Sequence, residues 1–395
     1  MIFVREALER IQSNVRLLSP IAVPLRKARG LVLAEDVFAG IAIPAFNQSA
    51  MDGYAFRFAD FVQSNELLIS HEVAAGDPAK HQVAAQQAVR VFTGAAIPAG
   101  LDTVVIQEKT EVQNNRLKIT DNSLVQGRNV RLVGSEIKKG DLALAKETLL
   151  TPAAVGFLAS LGVTQVSVFP NPVVHIIVTG NELQQPGRQF QAGQVYESNG
   201  EMLRAALDQL HIVSSTVTHV RDDKNVIATL LRTALASADL ILLTGGVSAG
   251  DYDFVVQAAE ECGVEKLFHK VAQRPGKPLY AGSKEGKMVF GLPGNPASVL
   301  TCFYNYVVAS IEACTGRKAL LERRQLPLLS AFSKKIALTQ FLKASASPNG
   351  VTPLGAQESF RLSTFSVANC LIVLPEEARD YREGDMVDVL LLPYL

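Results

Sequence analysis

The sequence predicts an α/β plus β chain of several domains: a parallel-sheet α/β domain, a β-rich domain inserted upstream of it, and a C-terminal β-barrel-like domain. Three observations carry that reading. Residues 172–319 alternate apolar strands with amphipathic helices. Residues 38–133 hold short β-like runs broken by Gly, Pro and Asn. Residues 320–395 return to β-like runs. Apolar strands separated by helices of about 10–15 residues fit a parallel sheet covered on both faces.

In chain order, the first segment reads as an amphipathic helix with Val4, Leu8, Ile11, Val15 and Leu18 on one face. Arg5, Glu6, Glu9 and Arg10 interrupt it, so it does not read as a signal peptide. Pro152 opens a helix through Leu161, and Val163, Val166 and Val168 follow as a strand. Segments 1–37 and 134–171 are expected to form one discontinuous unit around the inserted domain 38–133, whose β runs are Val89–Phe92, Thr103–Gln107 and Leu117–Thr120. In 172–319 the expected strands are Val173–Val178, Ile212–His219, Leu240–Thr244, Lys266–His269 and Met288–Phe290. The expected helices cover 199–210, 223–237, 253–262 and 296–314. The last domain, 320–395, carries strands Gln325–Leu329, Cys370–Leu374 and Val387–Leu392, with a turn at Arg382–Asp385.

Composition excludes several classes. The chain has 395 residues, which at roughly 100–200 residues per domain makes about two to four domains. Hydrophobic residues are 48% and charged residues 19%, so the chain can bury real cores and is not disordered. Lys+Arg and Asp+Glu are 38 each, which leaves no global basic field for nucleic acid. Trp is absent, so stacking platforms for bases are scarce. Mean hydropathy is +0.18, yet no run of about 18 apolar residues predicts a membrane span. The four cysteines lie among apolar neighbours without a CxxC pair and read as buried free thiols of a reducing cytoplasm.

Chemistry concentrates where strands end. Val173–Val178 runs into Thr179-Gly180-Asn181-Glu182, Leu240–Thr244 into a Gly-rich turn ending at Asp253, and Met288–Phe290 into Gly291-Leu292-Pro293-Gly294-Asn295-Pro296. Ligands of open α/β sheets bind outside the carboxyl ends of strands. Neither GxxxxGK[ST] nor GxGxxG occurs, so an ordinary P-loop and a dinucleotide fingerprint are unsupported. Several of these residues also suit caps: Asn295-Pro296 as N-cap and N1, Ser198 with Glu201 as a capping box, Asp222 and Asp251 as N-caps. Glu182, Asp222 and Asp253 all follow strands on one expected edge, and such oxygen ligands suit Mg²⁺. Six scattered histidines disfavour a zinc site or a Ser-His-Asp triad. Lys270, Arg274 and Lys277 stand on a turn stiffened by Pro275, Gly276 and Pro278, which suits an oxyanion such as phosphate.

Taken in order, the strings SAMDGYA, TGAAIP, TGNEL, GGVSAGDYD, PGKP and GLPGNP resemble the MoeA family of molybdopterin molybdenumtransferases, whose mammalian relative is the gephyrin E domain. The resemblance covers essentially the whole chain. It implies four domains in an elongated homodimer: 1–37 with 134–171 as a linker and dimerisation domain, 38–133, a molybdopterin-binding α/β domain 172–319, and 320–395. It also implies molybdenum insertion into adenylylated molybdopterin, with molybdate as co-substrate, Mg²⁺ as cofactor and AMP released. The cleft would lie between the α/β domain of one subunit and the inserted domain of the other. The family's functional positions fall on Asp52, Thr93, Glu182, Asp222, Asp253, Lys270, Lys277, Pro293, Pro296 and Ser359. Two positions depart: Glu136 stands for the usual Asp and Arg274 for the usual Lys. Asn181 removes one nearby negative charge from the turn. The expected partners are molybdopterin adenylyltransferase and acceptor molybdoenzymes, with no nucleic acid and no membrane. Two other functions fit a chain of this kind: molybdopterin adenylyl transfer, and a non-catalytic scaffold of the gephyrin E type.

Overall fold

A computed structural model describes residues 1–78, 82–246 and 254–393. The chain packs as two compact units, one of Met1–Ile21 with Val168–Leu395 and one of Ala22–Ser167.

The larger unit is built on a six-stranded sheet. Its elements are α1 (Val4–Asn14), β1 (Val174–Thr179), α2 (Asn199–Gln209), β2 (Ser215–Val220), α3 (Lys224–Ser237), β3 (Leu240–Thr244), α4 (Phe254–Glu261), β4 (Glu265–His269), β5 (Tyr280–Lys284), β6 (Lys287–Leu292), α5 (Pro296–Cys302) and α6 (Val308–Thr315). The spatial order is β2-β1-β3-β6-β5-β4. The run β2-β1-β3-β6 is parallel. The expectation of an all-parallel sheet is corrected at one side, where β5 is antiparallel to both β6 and β4. The reason is local: only Glu285 and Gly286, both at positive φ, join β5 to β6. A two-residue hairpin loop admits antiparallel pairing, whereas a parallel crossover needs a dozen or more residues.

Alternation along each strand feeds two cores. Val174, Ile176 and Val178 of β1, with Leu240 and Leu242 of β3, face a core closed by α1, α2 and α5. Ile177, Ile241 and Leu243 face the opposite core, under α3 and α4. Each such side chain, fully buried, contributes about 1.5–3 kcal/mol of transfer free energy. The helical run Pro296–Thr315 is long and apolar enough to cross a membrane by composition, but 83% of its apolar window is buried inside the protein, as in a core helix. A π-helical segment, Phe303–Val307, interrupts that run.

Three local expectations change. The first helix stops at Asn14 and not near Leu18, because Val15 turns extended and the Arg16 and Leu18 N–H groups donate to Gly286 O (3.3 Å) and Cys314 O (2.9 Å). Residues 1–21 therefore pack with the α/β unit, while Val32–Leu33 and Ile21–Pro24 pair with Gln165–Phe169. Asp223, not Asp222, caps α3, accepting from the N–H groups of Asn225 and Val226. Ser198 makes no side-chain cap on α2. Glu197 takes that place, accepting from Gly200 N–H at 2.7 Å, and Glu201 pairs with Arg204 instead.

The C-terminal residues form a second sheet, ordered Gln273–Arg274, Thr339–Ser347, Cys370–Leu374, Met386–Leu391, Arg323–Pro327. Its first member belongs to the loop between β4 and β5, so this sheet anchors that loop. In the smaller unit a six-stranded sheet runs Thr103–Ile106, Gly53–Phe56, Gln87–Val91, Glu66–Val73, Arg116–Ile119, Thr110–Gln113. The four cysteines are free and buried, as the sequence predicts.

Candidate active site

The strand directions bring five connections to one edge of the α/β sheet, that after β2 among them because β2 is parallel to β1. β1, β3 and β6 end there, and β4 ends there too, because it is antiparallel to a strand that is itself antiparallel to β6. The turns after β1 and β6 and the loop between β4 and β5 line a cavity of about 940 Å³. It gathers six of the residues expected from sequence: Glu182, Arg274, Lys277, Pro293, Pro296 and Ser359. That volume suits a ligand of cofactor size.

Each wall is fixed by named contacts. Asn199, at the start of α2, donates through Nδ2 to Thr244 Oγ1 (3.0 Å) and Gly294 O (2.9 Å), tying the end of β3 to the Pro293–Pro296 turn. Thr244, fully buried, donates to Pro293 O at 3.2 Å. Asn199 Oδ1 is buried and has no hydrogen-bond partner among the described residues, so the wall presents an open acceptor there. Asn295 stands at the N-cap of α5 but does not cap it with its side chain. Its Nδ2 donates to Ser359 Oγ at 2.9 Å, and Ala297 N–H donates to Ser359 O at 3.1 Å. Ser359 thus reaches the cavity from the C-terminal sheet's side of the unit. None of Asn199, Thr244, Gln273 and Glu197 stands out in the sequence, because their weight comes from contacts with residues far along the chain.

The charges divide by role. Arg274 and Lys277 are exposed at the cavity, and Lys270 is half-buried at the head of the same loop, with its N–H donating to Leu279 O at 2.9 Å. Among the described residues none of these three cations, nor Glu182, makes an ion pair or side-chain hydrogen bond. Lys270 does not line the cavity itself. Asp222 lies one turn away: its Oδ1 accepts the Thr179 hydroxyl, and its N–H donates to Asn181 Oδ1 at 3.3 Å. Glu182 Oε2 folds back over Gly180 in the same turn, 3.0 Å from the position of a Cβ there. Asp253 lies outside the described residues.

Glu182 and Asp222 fit a divalent cation of one kind. Among the described residues no three His, Cys, Asp or Glu side chains cluster, so the protein alone does not cage a metal. Mg²⁺ asks for less: one or two carboxylates, with water and phosphate oxygens completing its shell. Asp222 Oδ2 and the Glu182 carboxylate are both without protein partners among the described residues.

The smaller unit holds the other three residues. Asp52 ends the turn before the strand Gly53–Phe56, and its Oδ1 accepts from Thr93 N–H (2.7 Å) and Thr93 Oγ1 (2.8 Å). The Thr93 backbone bond, then its hydroxyl bond, hold the Asp52 carboxyl below the usual carboxylate range. Glu136 is exposed in a turn whose backbone is tied to Ile43 O at 3.0 Å.

Comparisons with known proteins agree with this layout. Residues 2–162 match the family described as MoeA N-terminal region (domain I and II), 175–313 the probable molybdopterin binding domain, and 325–392 the MoeA C-terminal region (domain IV). The molybdopterin molybdenumtransferase of Staphylococcus aureus is 32% identical, the match spanning 98% of this chain and 95% of that protein. That of Staphylococcus epidermidis is 33% identical over 99% and 95%. The crystal structure of the molybdopterin biosynthesis moea protein from Pyrococcus horikosii superposes over 100% of both chains, with a TM-score of 0.85 and 30% identity. Fold and cavity together define a multidomain protein with a molybdopterin-binding type of α/β domain near its middle. The chain belongs to the MoeA family.

Proposed function

We propose that the protein is a molybdopterin molybdenumtransferase of molybdenum cofactor biosynthesis. Its substrates are adenylylated molybdopterin and molybdate. The phosphoanhydride is cleaved, AMP leaves, and molybdenum is held by the dithiolene sulfurs. The observation that carries this reading is the cavity at the strand ends, where Arg274 and Lys277 stand unpaired among the described residues. Both substrates present oxyanions, and unpaired cations on a fixed loop neutralise them. Glu182 and Asp222, with Asp253, would hold Mg²⁺, which would supply positive charge to the anhydride oxygens. Lys270, at the head of the cationic loop, extends the positive field. Pro293 and Pro296 shape the far wall, and Ser359 offers a hydroxyl there.

The same reading makes the active form a cytoplasmic homodimer, with the Asp52–Thr93 turn and Glu136 of one copy serving the cavity of its partner. Asp52 is suited to that work because Thr93 keeps it ionised into acidic pH. Mixing Asp52→Ala with Lys277→Ala chains then restores part of the activity lost in each, since one site in the mixed dimer is intact. No recovery after confirmed subunit exchange removes the shared site.

The deciding assay supplies adenylylated molybdopterin, molybdate and Mg²⁺, and follows AMP release with cofactor formation. Adenylyl transfer is the competing chemistry. Turnover of ATP with unmodified molybdopterin, and none with the adenylylated form, overturns the transferase reading.

A further inference from the structure

The cationic loop rests on a buried polar pair. Gln273 is 1% exposed. Its Nε2 donates to Pro275 O and Gly276 O, both at 3.1 Å, and its Oε1 accepts the Tyr306 hydroxyl. Tyr306 is fully buried and lies on the π-helical segment Phe303–Val307. Gly276 sits directly on this pair: a Cβ there would come within 2.5 Å of Cys302 Sγ and 2.8 Å of Gln273 Nε2. On the next residue, Lys277 O accepts Val271 N–H at 3.0 Å.

Three successive carbonyls, those of Pro275, Gly276 and Lys277, are therefore taken by protein donors. The N–H groups of Gly276 and Lys277 have no hydrogen-bond partner among the described residues, although Gly276 is buried. Buried N–H groups are nearly always paired, so the unused Gly276 N–H asks for an acceptor, and the unused N–H of the exposed Lys277 stands next to it. Gly276 has φ +85°, and successive N–H groups around a left-handed residue form a concavity that binds anions. Both residues line the cavity. An apolar side chain of Gln273's size would fill the same space without fixing the carbonyls.

We propose that Gln273, latched by Tyr306, is a positioning residue for oxyanion binding. It holds the Pro275 and Gly276 carbonyls and leaves the Gly276 and Lys277 N–H groups to a tetrahedral dianion, either molybdate or a terminal phosphate. The inference rests on the reading of the cavity as an oxyanion site.

The test uses the full chain and two probes, molybdate and inorganic phosphate, each titrated calorimetrically. Gln273→Met preserves bulk and removes the donors. It weakens binding of at least one anion roughly tenfold, the scale of a lost charge-assisted hydrogen bond. In turnover, KM for molybdate rises while kcat at saturation holds if molybdate is the anion affected. Hydrogen exchange rises within 270–280 and not elsewhere. Tyr306→Phe, the milder variant, shifts the same quantities by about threefold. The double variant binds no more weakly than Gln273→Met, because Tyr306 acts through Gln273. Weakening of molybdate alone assigns the concavity to molybdate, and of phosphate alone to the substrate's phosphate. Unchanged affinity for both anions in Gln273→Met and Tyr306→Phe overturns the proposal, whatever the exchange shows. Failure of the unaltered protein to bind either anion overturns the oxyanion reading of the cavity itself.

Discussion

At the amino edge of the α/β sheet, charged side chains are tied to the backbone. Lys287 Nζ donates to Leu235 O at 2.5 Å, Lys284 Nζ to Cys262 O at 2.7 Å, and Asp239 accepts Val173 N–H at 2.9 Å. A cavity of about 340 Å³ lies there as well. At the carboxyl edge the cavity is larger and Arg274 and Lys277 have no partners among the described residues. The same strands thus end in one edge where Lys284 and Lys287 are tied to carbonyls and one where the loop cations are not, although Arg16 and Glu285 at the amino-edge cavity also make no side-chain hydrogen bond or ion pair among the described residues. Charges tied to carbonyls serve the fold. Cations left free on a fixed loop serve an anion that arrives from outside.

Two glycines make the sharpest test of that difference. Gly276 at the carboxyl edge has φ +85° and Gly286 at the amino edge has φ +84°. A Cβ on the first meets Cys302 Sγ at 2.5 Å, and on the second meets Arg16 Cβ at 2.5 Å. Ala is strained at both, by about 1–3 kcal/mol. Gly276→Ala should reduce turnover by about a hundredfold, the cost of misplacing binding groups by an ångström. Gly286→Ala should lower the melting temperature with turnover unchanged in the folded protein. Equal loss of turnover in both variants would show that the edges are not functionally distinct.

A lysine from each edge gives a smaller contrast. Lys277→Ala should weaken molybdate binding by about 10- to 150-fold, for a contact worth roughly 1.5–3 kcal/mol. Lys287→Ala leaves Leu235 O without its donor, so it should reduce stability and leave molybdate affinity within about twofold. Titration of molybdate against AMP release reads both. Arg274→Lys introduces the residue that the resemblance implies for this position. Because Arg274 is exposed and, among the described residues, makes no side-chain hydrogen bond or ion pair that orients its guanidinium, the expected change is under about threefold. A rise of tenfold or more would instead show a bidentate contact with the oxyanion.

The carboxyl edge could be read in the sequence because its glycines, prolines and charges occur in contiguous strings. Its supports could not. Gln273 precedes the cationic turn, but its role depends on Tyr306, 33 residues away. Asn199 joins Thr244 to Gly294, 45 and 95 residues distant. Asp223 and not the adjacent Asp222 caps α3, and at α2 Ser198 holds the N-cap position while the Glu197 carboxylate makes the side-chain bond, because only the backbone path selects between adjacent candidates. One signal was present and unused: Glu285-Gly286 between two apolar runs marks a hairpin, and with it the antiparallel strand Tyr280–Lys284.

The smallest effect is one on which the edges should agree. Cys302, fully buried, packs under the Gly276 turn, and Cys314, 8% exposed, lines the amino-edge cavity. Burial pushes both thiols up to about 12. An unfolded thiol ionises near 8.5. Between that value and about 12 the unfolded chain has released a proton that the native one retains, so stability is intact below roughly pH 8 and falls as pH rises through the window. Each thiol contributes at most about 1.4 kcal/mol per pH unit to that fall. Melting curves from pH 8 to 10 should therefore decline, and Cys302→Ala and Cys314→Ala should flatten the decline by similar amounts, whatever each does to the melting temperature at pH 8. Burial is the largest cause at both thiols, with the Asp239 carboxylate adding to it at Cys314 and the Gln273 hydrogen bond opposing it at Cys302. A clearly smaller flattening from Cys302→Ala would mean that the cations of the carboxyl edge stabilise the thiolate beneath them.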